Sequence, residues 1–277
     1  MAVDFGAVLL SAVMAGAVAI AATLVIERWG GALGSLVAIP TTIVPAAIGI
    51  WHGSSTVEAH ANAMSMVPIG MLLNILFLGA WRVLPPRLEH RWSGGSLVTL
   101  VAVLSVGVWL IAAGISTTVV STTLASIAPL WIGTFATLLG FSIGLGALKD
   151  APKAPPGSNE VHPLSILMRG VTAAIAIGLS VFIAGLGLPF ISGVVSVFPA
   201  IFLTTMVSLW IAQGSEVPVG AAGPMMLGAT SVSVYSLISI VSFPDYGPWF
   251  GSAIAWLGSV VFYSLPIGFW TSRQILR

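Results

Sequence analysis

The residues best suited to chemistry lie in one short polar run, where a carboxylate stands between two imidazoles. They are His52, Glu58 and His60. A glutamate and two histidines are a workable ligand set for a divalent transition metal. The same set could act as a proton-titrating gate, because imidazole changes its charge near neutral pH. A third interpretation is a wet loop whose polar side chains only solvate the ends of helices.

Glu216 repeats the setting of Glu58 in the second half of the chain. Glu58 ends a small polar run that begins at Gly53, and Glu216 ends the run that begins at Gln213. An ionisable side chain inside a membrane span costs about 2.5–3.5 kcal/mol on insertion scales, so it is a functional candidate by default. At helical rise the two glutamates fall at opposite membrane surfaces. We expect each to act as a gate or coupling group at its own surface.

Prolines within apolar spans mark a second candidate site. A proline removes a backbone hydrogen bond and leaves a carbonyl one turn earlier without its partner. Transporters place substrate and coupling-ion sites at such broken helices. The predicted substrate-binding residues are these prolines and the oxygen-bearing side chains at similar depth: Pro40, Thr41, Thr42, Pro45, Asn74, Pro199, Thr204 and Thr205. The alternative is that the threonines bond back to their own helices and the prolines are ordinary membrane-span residues.

The composition predicts elements that lie in lipid. Apolar residues make up 57% of the 277 residues, only 6% are charged, and the mean hydropathy is +1.08. A soluble domain carries roughly a quarter of its residues as charged side chains. The net charge of +1 argues against a nucleic-acid partner, which would require a basic face. The chain has no cysteine, and we find no nucleophile elbow or paired-carboxylate site, so we expect neither an enzyme nor a bound cofactor.

Nine stretches are long enough to cross a hydrocarbon core of about 30 Å. They cover residues 4–26, 31–51, 60–84, 95–115, 123–148, 164–187, 190–212, 217–241 and 249–272. The first carries Asp4 where a secretory signal would carry a positive charge, so we interpret it as a retained span. The proline-rich stretch from Lys149 to His162 is typical of a linker between two halves.

The basic residues predict the orientation. With nine spans, all nine lysines and arginines fall at or near one membrane face. The positive-inside rule makes that face cytoplasmic and puts the N-terminus outside. The expected location is the bacterial inner (plasma) membrane.

The chain nearly repeats itself across an odd number of spans. Gly34 through Pro40 runs on to Trp51, and the same spacing returns from Gly193 through Pro199 to Trp210. Five spans separate the copies, so the second copy is inverted in the bilayer, as in many secondary transporters. The predicted fold is all-α and polytopic, with about nine transmembrane helices. Residues 1–117 form one four-helix repeat, residues 118–162 a linking helix and linker, and residues 163–277 the inverted repeat.

A family resemblance supports the division into halves. The run from Val197 to Phe202, followed by Gln213-Gly214-Ser215-Glu216, resembles the GlpM family of short bacterial membrane proteins. The resemblance covers about 60 residues, and the family pattern has a histidine where this chain has Trp210. It implies that the chain is a fused pair of four-span units.

Together these features predict a secondary transporter that works by alternating access. The preferred cargo is a small cation, with a divalent metal favoured because of His52, Glu58 and His60, and Glu216 would serve the inner gate. One alternative is the transport of a small neutral, anionic or hydrophobic metabolite. Another is a non-transport scaffold or biogenesis factor. The expected partners are the lipid bilayer, the cargo and a second copy in a homo-oligomer.

Overall fold

The computed structural model describes residues 3–29, 38–124, 126–149 and 162–275, and every regular element in those ranges is a helix. The helices are α1 (Phe5–Trp29), α2 (Val44–Gly53), α3 (Val57–Leu88), α4 (Gly94–Thr122), α5 (Pro129–Lys149), α6 (Pro163–Gly185), α7 (Pro189–Val195), α8 (Ala200–Gln213), α9 (Glu216–Ser259), a π-helical turn (Val260–Ser264) and α10 (Leu265–Ile275). Residues 34–37 of the first repeat copy and 150–161 of the predicted linker lie outside the described residues. The prediction of an all-helical fold is confirmed for the part that is described.

Seven helical segments in the described ranges are long and apolar enough to cross a membrane. Several of them present large apolar side chains on the outer surface, such as Ile111 on α4, Phe135 on α5 and Ile175 on α6. A lipid-facing surface accounts for apolar side chains exposed on this scale, which soluble monomers rarely show. The protein is therefore a helical membrane protein.

The longest segment, α9, folds back on itself at Gly247. This residue has φ 71° and ψ 171°, a combination that is essentially restricted to glycine. The two arms are then joined by side-chain hydrogen bonds. The hydroxyl of Ser242 donates to the carbonyl of Gly251 (2.9 Å), and the hydroxyls of Tyr235 and Ser252 lie 2.7 Å apart. The arms are therefore an antiparallel hairpin, and its turn falls between the predicted spans 217–241 and 249–272.

Two other segments are broken helices. Residues 38–41 are helical and residues 42–43 form a turn before α2 begins, whereas residues 196–199 separate α7 from α8. We refer to residues 42–43 as the first break and residues 196–199 as the second break. Pro45 follows the first and Pro199 ends the second. Since proline has no N–H to donate, a continuous helix would lose a backbone bond at both places.

The most extensive helix contacts pair α1 with α6 and α3 with α9. Small residues let α1 and α6 approach closely in antiparallel directions. A Cβ added to Gly178 would lie 3.2 Å from the Cβ of Ala12, and one added to Gly170 would lie 2.9 Å from the side chain of Ile20. Such small-residue contacts replace the hydrophobic driving force that is missing between helices in lipid.

The bundle has two ends, each named here after its glutamate. The Glu58 end contains the α2–α3 connection, the α6–α7 connection and the hairpin turn of α9. Gly53 lies against the Val181 carbonyl, since an added Cβ would be 3.2 Å from it. The rings of Trp51 and Phe243 are in contact at the same end, with centroids 5.7 Å apart.

The Glu216 end contains the α3–α4 and α8–α9 connections and the end of α5. Arg82 donates from Nη1 to the carbonyl of Ala147 (2.7 Å), which ties α3 to α5. Arg169, which is 7% exposed, lies 3.5 Å from the hydroxyl of Thr23. Buried and half-buried arginines are therefore located at this end.

Candidate functional site

A cavity of about 100 Å³ lies where the two broken helices meet. Helices α1, α3, α6 and α9 complete its wall. The described residues that line it are Ala15, Ala19, Ile39, Thr42, Ile43, Met71, Asn74, Ala173, Ala176, Ile177, Ser196, Val197, Phe198, Ala200, Ile201, Phe202 and Val232. The wall is mostly apolar, and its polar side chains come from the two breaks and from α3.

The two hydroxyl groups in the cavity wall both donate their hydrogen bond to a backbone carbonyl. Thr42 donates to the carbonyl of Ile39 (2.8 Å), and Ser196 donates to the carbonyl of Gly193 (2.7 Å). A hydroxyl has one donor and two acceptor lone pairs. Each oxygen therefore offers acceptor capacity to a molecule in the cavity, one from each break.

Asn74 connects the cavity wall to the second break. Its amide nitrogen donates to the carbonyl of Val197 (2.9 Å), and its Oδ1 accepts from Nε1 of Trp109 on α4 (2.8 Å). Because the indole N–H can only donate, the atom of the Asn74 amide that faces Trp109 must be the oxygen. The Trp109 ring also meets Phe198 edge to face, with centroids 5.3 Å apart. Asn74 is 2% exposed and holds the second break in position.

The structure brings together part of the predicted substrate set. Thr42 and Asn74 line the cavity. Pro40 and Pro199 are buried next to lining residues in the chain. Pro45 is buried in the first turn of α2 and is not part of the lining.

The remaining predicted oxygens have other partners. Thr41 accepts a hydrogen bond from Nε1 of Trp256 (2.9 Å). Thr204 donates to the carbonyl of Ala200 (2.9 Å) and Thr205 donates to that of Ile201 (2.7 Å). For these two threonines the alternative of bonding back to their own helix is the one observed.

The predicted metal ligands are not brought together. His52 and Glu58 are exposed, whereas His60 is 1% exposed. Glu58 and His60 are two residues apart on one helix and thus about 200° apart around its axis. Among the residues that the structure describes, no three His, Asp or Glu side chains converge on a point that could hold a metal ion.

Both glutamates occupy first-turn positions on the surface. Glu58 lies in the first turn of α3, whose N-cap Thr56 accepts a hydrogen bond from the backbone N–H of Ala59 (3.0 Å). Glu216 opens α9 and is exposed. A carboxylate near a helix N-terminus interacts favourably with the helix dipole, by about 0.3–1 kcal/mol. Their gating role stays a prediction.

His60 belongs to an aromatic cluster, defined here as Trp51, His60 and Phe243. The imidazole stacks on the Phe243 ring at 4.9 Å with an interplanar angle of 15°, and it meets Trp51 edge to face at 5.0 Å. Neither ring nitrogen has a hydrogen-bond partner among the described residues. Sequence reasoning missed Phe243, because it lies far along the chain and its approach depends on how α9 packs.

Comparison with known proteins gives no relative. No protein-family model, curated protein or solved structure matches this chain. The GlpM-like resemblance therefore stays a sequence-based prediction, and the function has to be argued from the site.

Proposed function

We propose that this protein is a secondary transporter that carries a small, uncharged, largely apolar molecule through the central cavity. The observation that carries the proposal is the meeting of both broken helices at one cavity. Broken helices at membrane depth are tolerated where they line a cavity, and in transporters they form the substrate site at the interface of two repeats. The gap between them can then open alternately to each side.

The lining of the cavity supports two inverted halves. A spacing of 158 positions separates Glu58 from Glu216 and also relates Ala15 to Ala173 and Ala19 to Ile177, whereas the repeat copies that begin at Gly34 and Gly193 are offset by 159 positions. Ala15, Ala19, Ala173 and Ile177 all line the cavity. A cavity on a pseudo-twofold axis requires equivalent residues from both halves in its wall.

The contacts between α1 and α6 are compatible with the same relation. Shifting Ala12 and Ile20 by 158 positions gives Gly170 and Gly178. The observed contacts are Ala12 with Gly178 and Ile20 with Gly170. The two contacts exchange under this shift, as contacts between antiparallel helices do, so they agree with a twofold relation between α1 and α6.

In this proposal the chain crosses the membrane nine times. The crossings are α1, the segment containing the first break, α3, α4, α5, α6, the pair α7 and α8, and the two arms of the hairpin that begins with α9. The arginines at the Glu216 end make that end cytoplasmic by the positive-inside rule. The Glu58 end and the start of α1 then face outside, in a bacterial inner membrane.

The chemistry of the wall favours a neutral cargo over the cation that the sequence favoured. No Asp, Glu, Lys, Arg or His is among the described lining residues. An ion taken from water into a low-dielectric interior without a counter-charge loses several kcal/mol of solvation. A neutral molecule with an apolar body and one or two donor groups fits the lone pairs of Thr42 and Ser196.

A binding screen tests this proposal. The purified protein is heated with small amides, diols and hydroxylated hydrocarbons, since a ligand at 100 times its Kd stabilises the folded state by about 2.7 kcal/mol. Ala173→Phe fills the cavity, and Ile175→Phe, on the exposed face of the same helix, is the matched control. We expect a solute-specific rise in melting temperature that Ala173→Phe abolishes and Ile175→Phe retains. A rise that survives Ala173→Phe, or no rise with any solute, would contradict a binding cavity.

A further inference from the structure

The aromatic cluster joins the two proposed halves at the Glu58 end. Trp51 and His60 belong to the first half and Phe243 to the second. The cluster is tightly packed, with centroid distances of 4.9 to 5.7 Å among its three rings. An opening of the cavity toward this end would have to separate Phe243 from the other two rings.

His60 is an unusual member of such a cluster. Its side chain is buried to 1% exposure, and both ring nitrogens are without partners among the described residues. A buried donor or acceptor that is left unpaired costs about 1–3 kcal/mol. A phenylalanine would give the same packing without that cost, so the imidazole needs a reason other than packing.

We propose that His60 is a proton-binding site that opens the Glu58 end when it is protonated. The inference rests on the proposed function, because it assigns a coupling ion to the same alternating movement. A proton from the water at that end adds to a ring nitrogen once the cluster has separated. The cluster then cannot close again until the proton leaves.

The physical reason is that the closed cluster holds no counter-charge. Four charged or titratable groups lie close to the cluster along the chain, namely Glu58 on α3, His52 on α2, and Asp245 and Tyr246 at the hairpin turn, and all four are exposed to solvent. Tyr235 on α9 is buried and uncharged, and its hydroxyl lies 2.7 Å from that of Ser252. A cation over aromatic rings gains about 0.5–2 kcal/mol. Burying an unpaired ion costs several kcal/mol. Burial outweighs the gain, so the closed cluster excludes the protonated ring.

The position equivalent to His60 in the second half carries no titratable side chain. The position 158 residues beyond His60 is Pro218, which is buried and cannot titrate. The Glu216 end has an aromatic contact of its own, between Trp210 and Trp81, with centroids 5.9 Å apart. Protons in this inference therefore act on the Glu58 end and leave the other gate unaffected.

The absence of cysteine from the chain allows a direct test in the full-length protein. Ser54→Cys places a thiol three residues after Trp51, at a position where the native hydroxyl oxygen is buried. Ser55→Cys places one on the neighbouring exposed residue. The rate of alkylation by a membrane-impermeant maleimide is measured at both sites, and the ratio of the two rates removes the effect of pH on the thiol itself.

We expect the Ser54 to Ser55 ratio to rise about tenfold between pH 7.5 and pH 5.5. An imidazole in water titrates near 6.5, and a proton that binds the open form alone shifts the opening equilibrium by that factor. His60→Gln should remove the pH dependence, whereas His52→Gln, the exposed control, should keep it. Phe243→Leu, which weakens the closed cluster, should raise the ratio at pH 7.5.

If the ratio of alkylation rates does not change with pH in the protein that retains His60, the inference is overturned. A pH dependence of this ratio that persists in His60→Gln would overturn it as well. Neither result would bear on the solute screen with Ala173→Phe. Loss of solute binding with an intact pH response would instead contradict the proposed function and leave the proton site standing.

Discussion

At the scale of single residues, the fold depends on a few buried polar side chains whose bonds cross between helices. Asn74 is the clearest case, because it satisfies the carbonyl of Val197 and the indole of Trp109 at once. Thr42 was predicted from its depth in the span and does line the cavity. The partners of Asn74 could not be predicted, since they come from other helices and from a carbonyl that only the second break makes available.

We predict that Asn74→Ala destabilises the protein by about 1–3 kcal/mol, because it leaves a buried indole N–H and a carbonyl without partners. Interhelical hydrogen bonds in membranes contribute about 0.6 kcal/mol on average and at most about 1.7 kcal/mol, so the loss of the two bonds of Asn74 agrees with that range. The measurement is reversible unfolding in mixed micelles. Asn62→Ala on the same helix is the control, and its half-buried side chain should cost less. If both substitutions lowered the free energy of unfolding by the same amount, Asn74 would have no special role in stability.

At the scale of helices, apolar runs and prolines predicted most of what is observed. Hydropathy locates the long helices because lipid demands continuous apolar surface. The predicted metal ligands do not converge among the described residues, because Glu58 and His60, close in sequence, point to opposite sides of α3. Thr204 and Thr205 on α8 were predicted to bind substrate from their depth in the span alone. In the structure each hydroxyl donates to the carbonyl four residues earlier in the same helix.

We predict opposite effects for two glycine substitutions. Gly247→Ala should destabilise the protein by about 1–3 kcal/mol, because alanine cannot adopt its backbone angles without strain. Gly107→Ala lies within α4 with nothing within 4 Å of the added Cβ, and it should stabilise the helix by up to about 1 kcal/mol. Unfolding of both variants in the same micelles checks this. A neutral Gly247→Ala would show that the hairpin does not need its glycine.

At the scale of the whole molecule, the proposed alternating access requires two inverted halves that share one cavity. The sequence predicts this repeat from spacing alone. The structure adds contacts that the spacing could not reveal, such as the hydrogen bond from Asn74 to the carbonyl of Val197 in the second break, because they arise only when distant helices pack. A scaffold would need no cavity that opens to both sides, so access to the cavity separates the two functions.

The most direct test of alternating access is the labelling of a single cysteine in the cavity from each side of the membrane. Ala19→Cys is treated with an impermeant maleimide in right-side-out and inside-out vesicles, with Ile175→Cys as the lipid-facing control. The account predicts that the reagent reaches Ala19→Cys from both sides, and that a bound solute slows labelling from both. Labelling from neither side, or from one side only, would contradict a transporter and favour a static membrane scaffold.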